Sequence, residues 1–198
     1  MYAYSRSKAV LVVLLSLSLL ATGCSAKWIS VALADLPVLV QMALNIGTVV
    51  TTLESGKQLT SAEAATIQNI SSQASKDLNL LQVLYNQYKA APNASTLQEI
   101  QSAIADMNQN LPALLQASHV ADPVLAARIT AGVNLILSTV NSFATLMPQV
   151  AAPLQAQATS ARASIPHTED LKKQWNQQVC GPSGSATLDS SLTTCPVR

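Results

Sequence analysis

Charge is scarce in this chain. Only 11% of its 198 residues are Asp, Glu, Lys or Arg, and acids and bases nearly cancel to a formal net charge of +1. Phosphate binding needs clustered cations, and the only adjacent basic pair is Lys172-Lys173, so no nucleic-acid partner is implied. The polar surface must come from Gln, Asn, Ser and Thr, which give weak long-range steering. A partner is therefore expected to be held by apolar or hydrogen-bonded contacts. Glycine is equally sparse: six residues in all leave no Gly-rich phosphate loop and no Gly-x-Ser-x-Gly elbow.

Reactive side chains are thin on the ground. The two histidines, His119 and His167, each fall at an expected helix boundary, and no His or Cys pair has metal-ligand spacing. A di-iron bundle centre would need Glu-x-x-His pairs on facing helices, and none occurs. Glu169 and Asp170 are neighbours that point apart on a helix, while Asp77 and Asp106 read as surface charges. No metal, no cofactor and no enzymatic centre is expected.

What the chain does have is helical periodicity. Ile67, Ile70, Ala74, Leu78, Leu81, Tyr85 and Tyr88 recur at steps of three and four, the spacing of one apolar stripe on a helix. Leu97, Ile100, Ile104, Met107, Leu111 and Leu114 repeat the pattern, as do Ile129, Val133, Ile136, Val140, Phe143 and Met147. Such stripes pack side by side at shallow angles. No comparable run alternates apolar and polar residues, so no sheet is expected.

Capping chemistry sets the boundaries. Thr60-Ser61-Ala62-Glu63 and Thr96-Leu97-Gln98-Glu99 both have the capping-box pattern, and Asp122-Pro123 supplies an N-cap followed by proline. These predict helices from Thr60 to about Ala90, from Thr96 to near Ser118, and from Asp122 to Pro148. A further helix, Trp28 to Leu53, is apolar on every face and carries only Asp35 as a charge, so it is buried either in protein or in lipid. Pro37, Gln41 and Asn45 argue for protein. Asp35 precedes Leu36-Pro37 and reads as the cap of a helix restarting there, the alternative being a buried carboxylate at a functional site. Asp35–Gln41 also resembles Asn110–Gln116 over seven residues, more simply by chance than by duplication. Beyond Pro148 the pattern loosens until Thr168-Glu169-Asp170-Leu171 starts a short helix, whose Trp175 and Val179 would lie on the bundle.

The leader says where such a bundle would work. Arg6 and Lys8 precede an uncharged Leu/Val-rich run from Ala9 to Ala21, too short for a comfortable mature anchor, and Ala21-Thr22-Gly23-Cys24 follows. This order resembles the type II signal peptide of bacterial lipoproteins, with Ala21 where the lipobox most often has Leu. The resemblance implies cleavage before Cys24 and lipid on its sulfur. Ser25 after the cysteine implies, in a host with two membranes, delivery to the outer one. A membrane partner through Cys24 and a place in the cell envelope follow from the resemblance, and an envelope protein is the other partner expected.

With Cys24 set aside, Cys180 and Cys195 remain, bracketing a Gly/Pro/Ser-rich stretch. In an oxidising compartment they would form a disulfide, the alternative being two free thiols in a loose tail. The expectation is an all-α, up-down bundle of about four long helices, with a short C-terminal helix and a disulfide-closed tail. Residues 1–23 would be the signal peptide, 24–148 the bundle, and 149–198 a strap, short helix and loop. Its role would be structural or protein-binding. The rival is a binding protein holding an apolar ligand in a pocket lined by Leu36, Val40, Leu111, Leu114, Ile136 and Val140.

Overall fold

A computed structural model describes residues 3–56, 59–147 and 167–197, with side chains from Trp28 onward except at 187, 191 and 194. The Cys24 side chain and the strap from Pro148 to Pro166 lie outside the described residues. Four long helices run through the chain: α1 (Ala3–Ser55), α2 (Ser61–Ala90), α3 (Ala94–Ala117) and α4 (Pro123–Leu146). They are followed by α5 (Thr168–Gln178), α6 (Ala186–Ser191) and a tight turn at Leu192–Thr194. No strand occurs among the described residues. The fold is the all-α bundle that periodicity predicts.

Each stripe finds its place inside. Every member of the α2 and α4 stripes is buried, and in α3 only Leu114 is partly exposed. Helix α1 is the hub, packing on α2, α4, α5, α6 and the final turn, whereas α3 closes the bundle against α2 and α4. Trp28–Ser55 and Pro123–Leu146 are long and apolar enough to cross a membrane, yet 50% and 56% of their most apolar windows are buried inside the bundle. At one pole an aromatic chain ties three helices together. Trp28 of α1 meets Tyr85 of α2 edge-on at 5.5 Å between centroids, and Tyr85 meets Phe143 of α4 edge-on at 6.5 Å.

The helix starts follow local hydrogen bonding. Thr60 and Glu63 form the capping box, and Glu63 also accepts from the backbone NH of Ala121 at 2.8 Å, fastening α2 to the turn before α4. These donors hold the Glu63 carboxyl below its usual range, the Ala121 amide contributing most. Asp122 caps α4 by accepting from the NH groups of Val124 and Leu125. The third start differs from the capping-box reading. Asn93, not Thr96, caps α3, its side chain accepting from the Thr96 NH at 2.8 Å while Thr96 is buried in the first turn. Asn is the stronger cap, and it begins the helix three residues earlier. Asn93→Ala should therefore cost about 1 kcal/mol in urea unfolding, and a neutral result would return the cap to Thr96.

Two prolines lie inside helices rather than at their ends, Pro37 in α1 and Pro112 in α3. Each removes one backbone hydrogen bond without ending its helix. At the end of α3 the chain turns through His119, whose φ of +42° is the left-handed conformation that follows many helix ends.

Candidate functional site

Three of the polar residues buried in this bundle, Asp35, Asn45 and Arg128, lie where α1 and α4 receive α5 and the tail. Asp35 is only 1% exposed, and α1 runs through it unbroken, so it caps nothing. The capping expectation fails because Pro37 is accommodated within the helix. Instead one oxygen of Asp35 accepts from the hydroxyl of Thr168, the first residue of α5, and the other has no protein partner. Burial raises the Asp35 pKa, while the Thr168 hydroxyl and the nearby His167 act against it.

A second contact lies three turns along α1. Asn45 donates to the carbonyl of Cys195 at 2.8 Å, and the Trp175 indole NH donates to the same oxygen at 3.1 Å. Both donors are buried, so this one carbonyl pins the tail to α1 and α5 together. Asn176 and Val197 complete the tail's attachment: the Asn176 side chain donates to the Val197 carbonyl and accepts from its NH.

The third contact is the buried Arg128 of α4, which donates to the Val179 carbonyl at 2.6 Å and so satisfies the carboxyl end of α5. Gly132, one turn further along α4, lets the Trp175 ring approach closely: a Cβ there would lie 3.0 Å from the indole. The tail itself is closed by the Cys180–Cys195 disulfide, with Cα atoms 5.6 Å apart. Within the loop, Ser183 donates its NH to Asp189, and hydrogen bonds from the Ser183 hydroxyl first and its NH second lower the Asp189 pKa.

The six residues of the expected pocket lie in or against the core. Leu36, Leu111, Ile136 and Val140 are buried in the core, and Val40 and Leu114 pack against it part-exposed. One small void lies among α1, α4, α5 and the tail, bordered by Asn45, Val50, Arg128, Ile129, Trp175 and Leu192. Its volume is about 10 Å³, room for one water at most. Asp77 also departs from its expected place. It is half-buried and hydrogen-bonded to Gln73, its pKa raised first by burial and further by Asp106.

Arg128, Asn45 and Thr168 were not singled out by sequence reasoning as partners of the tail. A cation beside Ile129, within an otherwise apolar run, was the available signal for Arg128. Among the described residues, no three His, Cys, Asp or Glu side chains are gathered in one place. What the three contacts can do is mechanical: they fix the position of α5 and the tail on the bundle.

Asp35 gives this attachment a pH dependence. A pKa raised in the folded state means that protonation favours folding. The contribution is fully present below the unfolded carboxylate pKa, about 3.9, and is lost as pH rises through the folded value. Asp35→Asn removes the titrating group but keeps an acceptor for Thr168. Its stability relative to the wild-type chain should rise between pH 4 and pH 8, measured by urea unfolding at both; a constant difference would show that Asp35 does not titrate in this window.

No protein-family model, curated protein or solved structure matches this chain.

Proposed function

We propose that the protein is exported, moored to the cell envelope by lipid on Cys24, and acts there as a structural or protein-interaction module. The observation that carries this reading is the leader. Its basic start, short apolar run and Ala21-Thr22-Gly23-Cys24 precede the bundle in sequence, and Trp28, the first buried residue among the described side chains, is four positions beyond the cysteine. Three acyl chains, the lipoprotein pattern, would hold a 175-residue mature chain durably, since each buried CH₂ contributes about 0.8 kcal/mol. The disulfide of the tail fits an oxidising compartment.

The test is fractionation. Cys24→Ala should move the protein from the membrane pellet to the soluble fraction, and mass spectrometry of the wild-type N-terminus should find a lipidated Cys24. A variant that stays with the membranes would place the tether elsewhere.

A further inference from the structure

Helix α5 is held unequally along its length. Leu171, Trp175 and Val179 recur at steps of four and are all buried, while Arg128 grips the Val179 carbonyl and Asn45 and Trp175 grip that of Cys195. The residues ahead of Leu171 have much less to hold them. His167, Glu169 and Asp170 are exposed, and Thr168 is half-buried. His167 stands at the N-cap position but makes no side-chain hydrogen bond there, so α5 starts without a cap of its own. Among the described residues, the one side-chain hydrogen bond from this first turn to another helix is that of the Thr168 hydroxyl, which donates to Asp35 of α1.

Asp35 is poorly served by that single bond. One carboxyl oxygen takes it, the other has no partner, and the side chain is buried, so the ionised form forgoes the water that would fill its remaining acceptor sites. Neighbouring charges do little to compensate. On the helices packed against α1, Asp77 of α2 is bonded to Gln73, Arg128 of α4 to the Val179 carbonyl, and Lys172 of α5 to Glu169. Among the described residues His167 is the one titratable group that acts on Asp35 through space, favouring its ionised form when the imidazole is charged.

Unfolding the whole chain would hydrate this carboxylate, and so does a far smaller movement. Freeing residues 167–170 breaks the Thr168 bond and the bond from the Leu171 NH to the His167 carbonyl, and it leaves the buried Leu171 side chain as the hinge. We propose that Asp35 and Thr168 form a proton-operated latch on the first turn of α5, closed on α1 while Asp35 is protonated and opened to water by its ionisation, with Trp175 and the tail docked in both states. Linkage gives the direction. Burial raises the carboxyl pKa in the closed state, whereas the opened carboxyl returns toward about 3.9. Opening therefore increases as pH rises from the open value to the closed one and levels off above it. The Thr168 hydroxyl favours the closed anion, so removing it widens the range over which pH drives opening.

Amide hydrogen exchange of the full chain, followed by NMR, tests the latch. Asp35→Asn keeps an acceptor for Thr168 and cannot ionise, and dividing the wild-type rate by the rate in this variant at each pH cancels the intrinsic exchange rate. At the Leu171 NH this ratio should rise by about threefold or more from pH 4 to pH 7, while at the Val179 NH it stays flat. Leu171 compared with Val179 in the wild-type chain alone, each corrected for its intrinsic rate, should show the same divergence and needs no variant. Thr168→Val should steepen the rise at Leu171, which the plain loss of one hydrogen bond would not do. A flat ratio at Leu171 overturns the latch. An equal rise at Val179 overturns it as well, because α5 and the tail would then open as one body.

Discussion

Trp175→Ala should destabilise the protein by about 3–5 kcal/mol, the range for truncating a buried aromatic in a packed core. No other position combines so many contacts of the tail. The indole is fully buried, lies against Gly132 of α4, borders the small void with Ile46, Val49 and Leu192, and donates to the Cys195 carbonyl. Truncation enlarges that void and removes one of two donors from a buried carbonyl, leaving Asn45 as the other. A loss of this size lowers the melting temperature by roughly 10 °C in a chain of this length. Calorimetry measures it, and Trp175→Phe, which keeps most of the ring but not the NH, should lose clearly less. A loss below about 1 kcal/mol for the alanine variant would mean that α5 rests on the bundle without being part of its core.

Why the tail was hard to read, and the bundle easy, comes down to the range of the forces. The stripes of α2, α3 and α4 are local periodicities, and a period near 3.6 leaves one sensible burial pattern for each helix, which the structure adopts. Thr60 and Asp122 cap as predicted because each cap is settled within three residues. Thr96 fails for the same reason: Asn93, three residues upstream, competes locally and wins. Asp35 could not be placed, since its partner Thr168 is 133 residues away. Neither could Arg128, whose acceptor is 51 residues on. The Gly132–Trp175 contact likewise depends on how α5 lies across α4, and no spacing in either segment encodes it. Helix α1 sits between these cases. Apolar on all sides, it is legible as buried, but Leu44 on its outer face is half-exposed, which only the arrangement of its neighbours decides.

Removing the disulfide, by Cys180→Ser with Cys195→Ser, should cost about 3 kcal/mol on the chain-entropy account for a loop of this length. The sequence separation is 15 residues, and the loop it closes carries Leu188 and Leu192 into the core. Without the bond the unfolded tail gains freedom, while Asn45 and Trp175 still hold the Cys195 carbonyl of the folded form. The variant should therefore fold with α5 in place, and urea unfolding should report the loss. The disulfide and Trp175 act on one docked unit, so their effects should not add. Once Trp175→Ala has loosened the tail from α5, the cross-link has less native structure to favour, and removing it should cost measurably less than 3 kcal/mol on the double-mutant cycle. Strict additivity would instead mean that the bond acts only on the unfolded chain, with the tail and α5 docking independently.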